Sequence, residues 1–234
     1  MWDNASLLRN IANALMAFSM LAALYGVIHY AVHLPGLLPL HSVHLSAAPQ
    51  RVVAEDVLQA VRNEVNGNLF TVDIERLRQS LEKLPWVRSV SIRREFPDRL
   101  TVALEEHQAV ARWNGAALVN THGEVFDAFS EAQLPEFIGQ EGDSFEVAQR
   151  YGEFRQQLAA LNLQVAQLAL TPRHAWRVIL SNGMTLELGR EEMQQRLARF
   201  VAVYPYSLAE RVGSVRYVDL RYRNGFALGG LVKS

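Results

Sequence analysis

No Asp, Glu, Lys or Arg occurs between Arg9 and Arg51, and the first half of that interval, from Ile11 to His33, is almost wholly apolar. A charge-free run of this length has few ways to fold. A helix from Arg9 to Leu34 is ~37 Å long at about 1.5 Å per residue, enough to cross a hydrocarbon core of ~30 Å with some tilt. A helix can make that crossing because its backbone groups pair internally. Pro35 and Gly36 are placed to stop it. The competing reading is a secretory signal. However, the run exceeds the ~7–15 residues of a signal core, and no small-x-small cleavage site follows directly. The pattern predicts a retained anchor over 11–34 behind a short tail over 1–10.

Arg9 and the amino terminus lie on the short side of this anchor, and the next base is Arg51. The positive-inside rule then places the amino terminus in the cytoplasm and everything from about residue 40 onward outside it. Cysteine is absent from all 234 residues, which suits a chain folding in an oxidising compartment without disulfides. The formal net charge of −1 gives no basic surplus of the kind that nucleic-acid-binding or bilayer-hugging domains carry.

Over 41–107 the pattern reads strand, helix, helix, strand, strand. Ser42, Val43, His44 and Leu45 form a short strand. Ala54, Val57, Leu58 and Val61 recur at helical spacing, with Glu55 and Asp56 where the helix dipole favours anions. Asp73 is placed to cap a second helix whose stripe is Ile74, Leu77, Leu81 and Leu84. Val90 and Ile92, then Leu100, Val102 and Leu104, alternate with polar or small residues around a Phe96-Pro97-Asp98 turn. Both helices are needed to cover the dry face of that hairpin.

Over 109–230 the chain is β-rich. Asn114-Gly115 and Asn182-Gly183 are tight-turn signals, and Asn120 to Gly123 turns the chain again. A looser stretch over 130–143 leads to a helix that Ser144 is placed to cap, with Tyr151, Phe154, Leu158 and Leu161 buried. Trp176, Val178 and Leu180 alternate with polar neighbours, and Met184, Leu186 and Leu188 return the chain. A further helix packs Met193, Leu197, Phe200, Val201 and Tyr204 inward, and Pro205 is placed to end it. A strand over 215–222, an Asn224-Gly225 bend and a last strand over 226–228 follow. The expected fold class is α+β: one membrane helix, a small β-α-α-β-β domain, and a mixed sheet with two packed helices. Residues 231–234 form a tail.

Enzymatic motifs are poor. There is no nucleophile elbow, phosphate-cradling glycine loop or His-Glu-x-x-His. Ser80 to Lys83 matches Ser-x-x-Lys but sits mid-helix with no Lys-Thr-Gly partner. His29, His33, His41 and His44 lack a nearby carboxylate or thiol, so a membrane-interface role outweighs a metal site. Glu105 and Glu106 point to opposite faces of a strand, which argues against an acid pair. No catalytic residue and no cofactor is expected. Binding remains, and the last strand is the best candidate, because an edge exposes unpaired donors and acceptors to an incoming strand. Tyr222 and Phe226 are the apolar anchors near it, Arg221 and Arg223 offer charge, and Arg173 is placed to meet a partner carboxylate. Ordinary packing for Tyr222 and Phe226, and a solvated loop for Arg173, stay open from the residues alone.

Leu84-Pro85-Trp86-Val87, Arg93-Arg94, Phe96-Pro97-Asp98-Arg99-Leu100 and Glu105-Glu106 resemble a POTRA domain. With Ala109-Val110-Ala111-Arg112-Trp113 and Val218-Asp219-Leu220-Arg221-Tyr222, the chain is similar to the FtsQ/DivIB family of bacterial division proteins over nearly its whole length. The resemblance implies a non-enzymatic scaffold of the divisome, with one inner-membrane span, its bulk in the periplasm and its place at the septum. It also implies that FtsB and FtsL are captured by strand addition at the last β-strand, helping to control septal wall synthesis. FtsK, FtsW, FtsI and FtsN are further partners it implies. Tyr222 and Arg173 match the family's tyrosine and arginine. The family's aromatic near the strand end falls at Gly230, a departure that Phe226 is placed to make good. The alternatives are a POTRA scaffold for polypeptide transport, which lacks a following barrel, and a membrane-anchored periplasmic hydrolase, which needs clustered titratable groups.

Overall fold

The computed structural model describes residues 5–32, 34, 40, 42–65, 67–209, 215–223 and 225–230. Internal packing divides the chain between Glu106 and His107. The first unit opens with α1 (Ala5–Val32), 28 residues or ~42 Å of helix. Ala5–Ala31 is long and apolar enough to cross a membrane, and none of its window is buried by the rest of the molecule. The helix thus starts and ends earlier than the Arg9-to-Leu34 expectation. Leu34 N–H still donates to Ala31 O at 3.2 Å, a last tight turn off the helix end. The expected stop at Pro35-Gly36, and His33 and His41, lie outside the described residues.

Next come β1 (Ser42–Leu45), α2 (Ala54–Glu64), α3 (Ile74–Glu82), β2 (Val87–Glu95) and β3 (Arg99–Glu106). The three strands lie in the order β1-β3-β2. Ser42 stands opposite Arg99 in the parallel pair of β1 with β3, whereas β2 and β3 are antiparallel. Val57 and Val61 of α2 and Leu77 and Leu81 of α3 are buried, as are Val90, Leu100 and Val102 of the sheet. Leu58 is not part of this core. It is 45 % exposed, because α2 buries only the line through Val57 and Val61. Asp73 caps α3 as expected, its Oδ1 accepting from Arg76 N–H at 3.0 Å. Glu106 closes the unit by accepting from the N–H groups of Gln50, Arg51 and Val52 at 2.9–3.0 Å. Burial raises the carboxyl pKa, but these three donors outweigh it and hold Glu106 below the ordinary glutamate range. Glu105 instead pairs with Arg88 and Ser89, so the two acids are separated.

The second unit contains β4 (Ala109–Trp113), β5 (Ala117–Asn120), β6 (Val125–Phe126), β7 (Glu136–Ile138), α4 (Ser144–Ala159), β8 (Val165–Leu170), β9 (Trp176–Leu180), β10 (Thr185–Gly189), α5 (Met193–Ser207), β11 (Tyr217–Asp219) and β12 (Ala227–Gly229). The nine strands run β12-β11-β10-β9-β8-β7-β4-β5-β6 in a mixed sheet. Asn114 (φ +48°) and Gly115 (φ +74°) adopt the left-handed pair that a two-residue hairpin turn requires. Phe154, Leu158, Leu197 and Phe200 of the helices are fully buried with Trp176, Val178, Leu186 and Val218 of the sheet.

Four expectations need correction here. β7 lies inside the stretch read as a loop, bridging β4 and β8 by parallel pairing. Asp143, not Ser144, is the residue before α4; its Oδ2 accepts from Gln140 N–H, while Ser144 Oγ donates to Gly123 O at 2.7 Å. Pro205 lies within α5, which continues to Ser207, and Leu208 N–H still bonds Tyr204 O at 3.0 Å. A proline removes only one helical donor, and two helical residues, Tyr206 and Ser207, follow the stop expected there. Finally, β11 ends at Asp219, so Tyr222 sits in a bend outside any strand, while Asn224 lies outside the described residues.

Candidate partner-binding edge

β12 is the terminal strand of the nine-stranded sheet, and no described residue pairs with its outer side. Its hydrogen-bonding phase follows from its neighbours. Thr185 N–H bonds Arg216 O and Leu220 N–H bonds Glu187 O, both at 2.9 Å. Alternate residues of a strand in a parallel ladder bond the same neighbour, so Arg216, Val218 and Leu220 serve β10. Tyr217 and Asp219 then bond β12 through Gly229 and Ala227, their register partners. Leu228 is out of phase with them, and its N–H and C=O point away from β11 into the open edge.

The side-chain rows give this edge two characters. Val178, Leu186 and Val218 stand in one row across β9, β10 and β11, each fully buried, and the row ends at Leu228, 38 % exposed. The next row is Arg177, Glu187, Asp219 and Ala227. Within it Arg177 pairs with Glu187, and Asp219 is held by Arg221 through two side-chain bonds at 2.8 and 2.6 Å. Arg221 N–H also donates to Asp219 Oδ1, and the guanidinium beside it keeps this buried carboxyl below the ordinary aspartate range. Arg221 thus has an internal partner and fixes the chain where it leaves β11.

Beside the edge, α5 and the β11–β12 connection enclose a groove of about 490 Å³. Ala202, Val203, Leu220 and Phe226 give it apolar walls, and Arg196, Arg199 and Arg223 line it with guanidinium groups. Arg196, Arg199 and Val203 share a helix face by their i, i+3, i+7 spacing. Arg196 donates to Leu188 O at 2.7 Å, and Arg199 donates to Arg223 O. Among the described residues, no carboxylate lies within ion-pair distance of these three arginines. The groove therefore offers positive charge over an apolar floor, which suits an acidic, apolar segment.

Of the residues singled out in sequence, Phe226 and Arg223 line the groove, and Tyr222 lies on the adjoining bend, 57 % exposed. Arg173 is exposed in the turn between β8 and β9, which Thr171 organises through bonds to His174 and Ala175. It stands at the same end of the sheet as Ala227 but some three to four strand spacings, ~14–19 Å, from β12. It is thus not brought together with Tyr222. Gly230, where an aromatic was expected, has φ +69°, a conformation that disfavours one. Sequence reasoning missed Arg196, Arg199 and the outward phase of Leu228. The helical spacing of the two arginines was the available signal.

Two family models match the chain. "POTRA domain, FtsQ-type" covers residues 38–107, and "Cell division protein FtsQ/DivIB, C-terminal" covers 111–221, ending just before Tyr222. Among curated proteins, the "Cell division protein FtsQ" of Nitrosospira multiformis is 41 % identical over 98 % of this chain and 99 % of its own length. That of Burkholderia pseudomallei is 37 % identical over 97 % and 94 %, and that of Shewanella oneidensis 38 % over 87 % and 78 %.

Proposed function

Since this chain belongs to the FtsQ/DivIB family of non-enzymatic cell division proteins, we propose that it captures FtsB and FtsL at the septum by adding a partner strand to β12. In this reading α1 crosses the inner membrane once, with its amino terminus in the cytoplasm and both folded units in the periplasm. The carrying observation is Leu228, whose outward N–H and C=O lie on a strand without charge beside an arginine-lined groove. An incoming strand takes its register from that backbone pair. Its groove-side residue extends the apolar row ending at Leu228, and a neighbouring carboxylate meets Arg199 or Arg223. Tyr222 flanks the contact. Arg173 meets a more distant part of the same partner, beyond the strand itself.

The test is Leu228→Pro in the full chain in nanodiscs, titrated with the periplasmic segment of the FtsB-type partner. Proline removes the outward donor without touching the ladder to β11, so affinity should drop about tenfold for one hydrogen bond. Arg173→Glu is expected to weaken capture too, by less. Unchanged affinity for Leu228→Pro, with an intact fold, would exclude strand addition here.

A further inference from the structure

Phe70 and Phe96 stand out in the first unit. Their rings meet edge-on at 5.7 Å between centroids, yet they are 40 % and 68 % exposed. Two adjoining exposed rings form an apolar patch of the kind that can meet an apolar surface. Hydrogen bonds tie this pair to the end of α1. Leu34 bonds back to Ala31 of the helix, and Leu34 O in turn accepts from Asn68 Nδ2 at 3.3 Å. Asn68 is buried, and its Oδ1 also accepts from Phe70 N–H and Thr71 N–H at 2.9 and 3.0 Å. Arg94 fixes the same loop to β2 by donating to Leu69 O at 2.8 Å and Val72 O at 3.2 Å. The loop carrying Phe70 is thus held at the helix exit on one side and to the strand leading to Phe96 on the other.

The strand register points the same way. Ser42, the first residue of β1, lies beside Arg99, so the sheet end bearing the 96–98 turn is the end the chain reaches from α1. Twenty apolar residues fill a ~30 Å core, and the headgroup layer adds ~5–8 Å on each side. A core spanning 11–30 leaves Leu34 within that layer, with the Asn68–Phe70 loop bonded to it. We propose that Phe70 and Phe96 form an aromatic foot seated in the outer headgroup layer of the bilayer, fixing the height and tilt of the first unit above the membrane. Phenylalanines on the apolar face of an interfacial segment bury into the boundary between headgroups and acyl chains. The proposal rests on α1 spanning the membrane.

The chain has no cysteine, so single spin labels can be placed without background. The experiment uses the full chain in phospholipid nanodiscs, labelled at Phe96→Cys, Phe70→Cys or Gln50→Cys. Gln50 bonds Glu106, at the far end of β3, ~24 Å along the strand from Arg99. Labels at 70 and 96 should collide severalfold more with oxygen, relative to a water-soluble nickel chelate, than the label at 50. In a Phe70→Ser/Phe96→Ser chain, a label at Arg99→Cys should gain nickel access over the same label with both rings present. Equal nickel access at 96 and 50, or shielding of 96 from both reagents, would overturn the foot. A chain that does not incorporate into discs would instead refute the span, keeping the two failures apart.

Discussion

Two of the sheet margins, β2 and β12, are of opposite design. β2 borders the three-stranded sheet and carries Arg88, Arg93, Arg94 and Glu95 among its nine residues, with a register shift between Val87 and Ser89. Charge and irregularity of this kind discourage a foreign strand from pairing. β12 borders the nine-stranded sheet with Ala227, Leu228 and Gly229, none charged. Its protection is only brevity. The comparison teaches that charge guards β2 and that β12 is left without it. Beside β12 lies a cationic, apolar-floored groove.

The largest expected effect tests that pairing of margin and groove. Reversing Arg199 and Arg223 to Glu together should weaken partner capture by about 2 kcal/mol, roughly thirtyfold. The same reversals at Arg88 and Arg93 should leave it unchanged; calorimetric titration separates the two. Next, Leu228→Lys gives β12 the charge β2 already has, and places it near Arg199 and Arg223. It should reduce affinity by about 1 kcal/mol without altering urea unfolding. A smaller change is expected from stripping β2. With Arg88, Arg93 and Glu95 replaced by Thr, the full chain should show more concentration-dependent self-association in sedimentation than the parent.

The smallest effect concerns pH. Glu106 in the first unit and Asp219 in the second both have lowered pKa values. A depressed carboxyl contributes stability above its unfolded value, about 4.3 for Glu and 3.9 for Asp, and loses it as pH falls toward the folded value. Stability should therefore change by under ~0.5 kcal/mol between pH 7 and 5, then fall in acid. Glu106→Gln should flatten the acid limb of the first unit only, as chemical denaturation followed at Trp86 would reveal.

Much of the fold was legible because local chemistry decides it. The charge gap after Arg9 marks α1, Asp73 marks the start of α3, and Asn114-Gly115 and Asn182-Gly183 mark hairpins. β7 was hidden because three residues carry no periodicity, and its pairing with β4 and β8 joins segments distant in sequence. Ser144 looked like a cap because serine usually is one, yet a tertiary bond to Gly123 claims its hydroxyl. At the site, the terminal strand was readable, and Arg223 and Phe226 were singled out only as residues near it; the groove they line was not readable. Nor was the role of Arg221: its partner is Asp219 two residues back, in a local turn that an expected strand over 215–222 concealed. Arg196 and Arg199 were overlooked because a helix's wet face reads the same whether it meets water or lines a recess.

Only one residue of β12, Leu228, is flanked on both sides by residues committed to the ladder with β11. A visiting strand therefore finds a foothold about one residue deep, good for two backbone hydrogen bonds, together worth about 1–3 kcal/mol. Such a grip is easily released. In the proposed capture, holding on then rests on the neighbouring arginines and on both molecules sharing one membrane, an arrangement suited to repeated docking and departure.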